Sequence, residues 1–114
     1  MSAPSTNIEI NCRGILEDLG YEIIAFAGID RITVLKNNTE RVVTMGNMDS
    51  YLPILQKYQM SLEIMAIDND CKVIVAADSR DGILYAEHTS KFPTTSVVIA
   101  IGQMTTKLKY KGKK

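Results

Sequence analysis

The sequence predicts an α+β fold in which antiparallel β-meanders are layered with helices, in the order α-βββ-α-βββ-α. Three observations predict it. Apolar residues recur at helical spacing in three segments, and runs rich in β-branched residues follow the first two of these segments in groups of three. Glycine, asparagine and aspartate separate the runs. Strands joined by such short turns pair antiparallel, and a sheet of this kind needs helices to cover it.

The first helix is predicted near the amino end. Residues 6–9 have the pattern of a capping box, with Thr6 as the cap and Glu9 reaching back to it. One apolar face follows at helical spacing, made of Ile8, Cys12, Ile15, Leu16 and Leu19. Gly20 is predicted to end the helix, because glycine accepts the left-handed conformation found there.

The first group of strands is predicted at residues 21–28, 31–37 and 41–45. Residues 29–30 and 38–40 supply the turns between them. Polar and apolar residues alternate only weakly in the first of the three runs. This predicts a strand that is covered on both faces or lies centrally in the sheet.

A second helix is predicted over residues 50–59, capped by Asp49 or Ser50. Pro53 fits only because it lies in the first turn, where its missing N–H is not needed. Three further strands are predicted at residues 61–67, 72–77 and 82–88. The acidic segments 68–70 and 78–82 supply the turns that connect them.

The third helix is predicted over residues 94–106, with Pro93 at its start. The chain is thus divided into a single α+β domain, residues 1–106, and a basic carboxyl-terminal tail, residues 107–114. Five of the 13 basic residues lie in that tail, which leaves eight against 13 acidic residues elsewhere. The tail is interpreted as a solvated extension, or alternatively as a lysine-rich edge strand.

The helix and its three strands occur twice along the chain. Segments 21–27 and 60–66 align by residue class at an offset of 39. This indicates an internal pseudo-repeat, with coincidence between similar hairpins as the alternative.

Composition is that of one globular domain without a membrane span. Apolar residues make up 46% of the 114 residues and charged residues 23%, and no apolar run approaches the length that a bilayer requires. The amino end lacks the pattern of a signal peptide. Cys12 and Cys71 have neither metal-ligand nor redox spacing, which favours buried thiols in a reducing cytoplasm.

Most catalytic interpretations are disfavoured, so the chain is predicted not to be an enzyme and to hold no metal or cofactor. His88 is the single histidine, and no thiol or second histidine is spaced to work with it. The acidic turns lack the donor set of a calcium loop. No glycine-rich phosphate loop is present.

Two sets of residues remain as candidate binding sites. The start of the third helix can hold an anion such as a nucleotide phosphate, with ordinary helix capping as the alternative. Its candidate ligand-binding residues are Lys91, Thr94, Thr95 and Ser96. The basic tail can follow a nucleic-acid backbone. Its candidate nucleic-acid-binding residues are Lys107, Lys109, Tyr110 and Lys111.

Residues 49–59, DSYLPILQKYQ, and 85–104, YAEHTSKFPTTSVVIAIGQM, carry a resemblance to a known family. The run resembles small phage-encoded α/β proteins of the phage ABA sandwich type. The resemblance implies a small protein in the host cytoplasm that inhibits a host defence, by sequestering a signal nucleotide or by blocking a host protein. A homo-oligomer is the expected state, and a nucleic-acid accessory factor that uses the basic tail is the alternative function.

Overall fold

The predicted element order is confirmed by the structure, a computed structural model. It describes the backbone of residues 3–80 and 82–112 and the side chains of residues 8–80 and 82–109. The elements are α1 Ala3–Asp18, β1 Glu22–Phe26, β2 Ile32–Lys36, β3 Thr39–Val43, a 3₁₀ turn Met48–Tyr51, α2 Leu52–Tyr58, β4 Ser61–Ile67, β5 Asp70–Ser79, β6 Gly82–Ser90 and α3 Pro93–Gly112.

The strands form two separate three-stranded antiparallel sheets, β1-β2-β3 and β4-β5-β6. Strand β4 has the predicted bounds. The turn between β2 and β3 differs from the prediction of residues 38–40, because it is made by Asn37 and Asn38. Both have positive φ, 55° and 63°. Asparagine tolerates this conformation, and two such residues give the hairpin turn that matches the twist of the strands.

Helix α1 begins at Ala3, before the predicted cap. Thr6 therefore lies inside the helix, and the predicted capping box is wrong. The predicted end is confirmed, since Gly20 follows the helix with φ of 95°. Pro53 lies at the start of α2, as predicted.

Strand β1 is an edge strand and is largely exposed, so the prediction of a covered or central strand is wrong. The register shifts between Ile23 and Ala25, which marks a β-bulge. A bulge moves the following side chains to the opposite face. This accounts for the weak alternation of polar and apolar residues in the sequence.

Helix α3 packs on β5 and β6, and α1 packs on α3 and contacts β1. The two helices approach closely at Gly102. A Cβ atom added there would lie 1.9 Å from the Asn11 Oδ1 atom. One continuous core includes buried residues from both sheets and all three helices, among them Ile15, Ile32, Ile54, Val75 and Val98. The two helix–meander units therefore share a single interior.

Helix α3 extends to Gly112, beyond the predicted end at Thr106. The first part of the basic segment is therefore helical and is not an edge strand. Lysine is a good helix former, so the sequence carries no signal that stops the helix there. Lys113 and Lys114 lie outside the described residues. None of the helices in the described part of the chain has the length and apolar character needed to cross a membrane.

Candidate functional site

A pocket of about 390 Å³ lies between the end of α1, the first sheet and the start of α2. We call it the α1–sheet pocket. Its wall is mainly apolar with a few polar groups, and it is lined by Leu16, Leu19, Tyr21, Lys36, Val42, Val43, Thr44, Met45, Ser50 and Pro53. This combination of size and lining is typical of small-molecule sites.

Lys36 and Tyr21 form the cationic corner of the pocket. The Lys36 Nζ atom donates a hydrogen bond to the Leu19 carbonyl at 3.2 Å and lies 4.7 Å from the centroid of the Tyr21 ring. The carbonyl belongs to the end of α1, which carries partial negative charge. Gly20 makes the turn that brings Tyr21 beside Lys36. The ammonium has three N–H donors, so at least one remains for a ligand.

The opposite wall is formed by residues that follow β3, and hydrogen bonds hold them in place. The Ser50 hydroxyl donates to the Thr44 carbonyl at 2.6 Å, and the Met45 N–H donates to the Ile29 carbonyl at 2.7 Å. The fully buried Tyr51 donates its hydroxyl to the Met45 carbonyl. Burial raises the pKa of the Tyr51 hydroxyl far above its ordinary value, so it stays protonated and keeps donating.

The predicted ligand residues at the start of α3 lie in one turn but face different surroundings. Lys91 is exposed, Thr94 and Thr95 are half-buried, and Ser96 is fully buried. The Ser96 hydroxyl lies 2.7 Å from the Ser90 hydroxyl and 3.3 Å from the Cys71 carbonyl. Ser96 therefore ties α3 to β5 and β6, and its hydroxyl is not available to a ligand from solvent.

Of the four predicted nucleic-acid-binding residues, two have described side chains, and both contact other parts of the protein. The Lys107 Nζ atom donates to the Tyr85 carbonyl at 2.5 Å, on β6. The Lys109 Nζ atom lies 3.5 Å from Asp18, whose side chain is 10% exposed and also contacts Lys57 at 3.7 Å. These two lysines thus have partners within the protein. The side chains of Tyr110 and Lys111 lie outside the described residues.

The reactive side chains lie away from the pocket. Burial, and then the charge of Glu9, raise the pKa of the Cys12 thiol to about 12, so at neutral pH it is an unreactive core residue. The His88 Nδ1 atom is buried without a hydrogen-bond partner in the described residues. Within residues 3–80 and 82–112, no three His, Cys, Asp or Glu residues are placed to hold a metal ion.

Sequence reasoning missed the α1–sheet pocket. Its lining comes from five segments between residues 16 and 53, and no single segment has a ligand-binding pattern. One signal was available, since Lys36 interrupts the apolar side chains that a buried strand face requires. Comparisons with protein-family models, with curated proteins and with solved structures give no match to this chain.

Proposed function

We propose that this protein is a small non-enzymatic binding protein of the phage type, which inhibits a host defence by sequestering a signal nucleotide. The α1–sheet pocket is where the nucleotide binds. The observation that carries the proposal is a cavity of about 390 Å³ beside the Lys36 ammonium. Small-molecule sites have volumes of about 300 to 1,000 Å³.

The two sides of the pocket suit the two parts of a nucleotide. The Lys36 ammonium attracts a phosphate, and the ring of Tyr21 offers a flat surface on which a base can stack. Leu16, Leu19 and Pro53 supply apolar contacts to the rest of the ligand. Lys36 and Tyr21 are the ionisable residues that line the pocket. Neither is paired with a nucleophile there, which supports binding rather than turnover.

The proposal is tested by measuring the melting temperature with added nucleotides, including nucleoside monophosphates, cyclic dinucleotides and ADP-ribose. A ligand that binds the folded state raises the melting temperature, and the shift grows with the logarithm of the ligand concentration above the dissociation constant. We expect at least one of them to do so, and we expect Lys36→Gln to abolish the shift. Lys72→Gln is the matched control, because Lys72 pairs with Glu87 on the second sheet, away from the pocket.

Three results would contradict the nucleotide proposal. No shift with any nucleotide at millimolar concentration would remove its support, and a shift that survives Lys36→Gln would place the ligand elsewhere. A host protein that binds equally to the parent and to Lys36→Gln would favour blocking of a host protein.

The alternative is a nucleic-acid accessory factor. It predicts nucleic-acid affinity that falls steeply with salt and that is lost when residues 107–114 are removed. The contacts of Lys107 and Lys109 within the protein do not favour this alternative.

A further inference from the structure

Three of the four free sheet edges carry a feature that discourages pairing with another strand. Strand β1 has a bulge at Ile24. Strand β3 exposes the charged residues Glu40 and Arg41. On β6, the Tyr85 carbonyl is occupied by the Lys107 ammonium. Bulges, charges and lysines are the usual means by which proteins protect sheet edges.

Strand β4 has neither a bulge nor a lysine on its edge. Its seven residues pair with β5 in unbroken register, and they include no lysine, arginine or proline. Glu63 is its one charged residue. The strand is rich in apolar residues, and two of them, Ile64 and Ile67, have exposed fractions of 46% and 42%. A long, regular, apolar edge is where another strand adds to a sheet.

We infer that a second copy of this chain pairs with β4, antiparallel and with the two-fold axis at Ile64. This register sets Ile64 against Ile64 of the second copy and Leu62 against its Ala66. Glu63 then faces Met65 of the second copy, so like charges are not directly opposed. The strand is therefore complementary to itself, which favours a second copy as the partner.

The pairing is also self-limiting. It joins the two second sheets into one sheet of order β6-β5-β4-β4-β5-β6, whose outer edges are both β6. Lys107 protects each of these edges. The same surface is used on both copies, so the assembly closes as a dimer and does not grow. The interface is small, and the dissociation constant is expected on the order of micromolar.

The dimer is tested by sedimentation equilibrium of the full chain, from low to high micromolar concentration. We expect a monomer–dimer equilibrium. Ile64→Lys sets two ammonium groups against each other at the axis and should weaken the dimer by about tenfold or more. Ile24→Lys is the matched control, because Ile24 is 48% exposed on the β1 edge of the other sheet. It should leave the dimer intact.

Amide hydrogen exchange supplies a second readout that does not depend on a substitution. Alternate residues of an edge strand direct their N–H groups away from the sheet. We expect alternate β4 amides to gain protection as protein concentration rises. A monomer at every concentration, a dimer unaffected by Ile64→Lys, assemblies larger than two, or concentration-dependent protection outside β4 would each overturn the inference. The dimer is independent of the nucleotide proposal, which Lys36→Gln tests separately.

Discussion

The two meanders have the same order of strands, but helices cover them to very different extents. The first has three strands of five residues, and the fully buried residues of its central strand are Ile32 and Val34. The second has strands of seven, ten and nine residues, with α3 packed along β5 and β6. Helix cover is therefore more extensive over the second meander. The thinly covered first meander leaves space for the α1–sheet pocket.

The largest expected effect compares a buried valine in the central strand of each meander. Val75 in β5 and Val34 in β2 are both fully buried. We expect Val75→Ala to lower the free energy of unfolding by about 2–3 kcal/mol, because the packed helix prevents the cavity from collapsing. Val34→Ala should cost about 1 kcal/mol, because the short, exposed strands beside it relax more easily.

The measurement is urea unfolding of both variants at one pH, with equal slopes as the check that the denatured states are comparable. Equal losses of stability would contradict the difference in cover between the meanders.

The next effect concerns the contact that joins the two units. Gly102→Ala places a Cβ atom 1.9 Å from Asn11 Oδ1 and 2.7 Å from Asn11 Cβ, so α1 and α3 must separate. We expect a loss of about 2 kcal/mol, after the helix propensity gained by alanine is included. Adding Asn11→Ala should recover part of the loss, measured as the coupling energy of a double-mutant cycle.

Gly14→Ala is the matched control in the partner helix. A Cβ atom added at Gly14 meets nothing within 4 Å. It should therefore raise the free energy of unfolding by about 0.5–1 kcal/mol through helix propensity alone. Equal changes in the free energy of unfolding at the two glycines would show that the close approach at Gly102 does not contribute to stability.

The second meander was the easier of the two to predict from sequence, for the same reason that it is the better covered. Its apolar runs are separated by turns rich in aspartate and glycine. These signals predict the bounds of β4 and the order of β5 and β6. In the first meander the bulge at Ile24 shifted the side-chain alternation, and an edge strand was therefore predicted as a covered one. The alternation of polar and apolar residues indicates which face of the sheet a side chain occupies. It does not indicate whether another strand lies beside the strand.

The candidate sites show a similar limit. The residues at the start of α3 were predicted from one short segment, and Ser96 proved to face the core. The local sequence shows which residue types stand at the start of a helix. The direction in which each hydroxyl faces depends on the packing of α3 against β5. The α1–sheet pocket is lined by residues far apart in the sequence, among them Tyr21, Lys36 and Pro53. Only the tertiary fold brings these residues together.

A smaller effect is expected at the connection between the meanders. Tyr51→Phe removes the hydroxyl that donates to the Met45 carbonyl and leaves a buried acceptor without a partner. We expect a loss of about 1–2 kcal/mol, measured by urea unfolding. Tyr85→Phe is the control, because the Tyr85 side chain is exposed on β6. Its stability should be unchanged, and an unchanged Tyr51→Phe would show that the hydrogen bond does not stabilise the connection.

The smallest effect compares the two thiols, one in each unit. The unfolded Cys12 thiol loses its proton near pH 9, whereas the folded thiol keeps it to about pH 12. Above pH 9 the unfolded state therefore binds fewer protons, and the free energy of unfolding falls as pH rises. Between pH 9 and pH 10 we expect the parent to lose about 1 kcal/mol more than Cys12→Ala, whatever that variant costs at neutral pH. In the folded protein a thiol reagent should modify the half-buried Cys71 before Cys12. Equal pH slopes in the parent and in Cys12→Ala would show that folding does not raise the pKa of the Cys12 thiol. Modification of Cys12 before Cys71 would show that α1 opens to solvent more readily than β5.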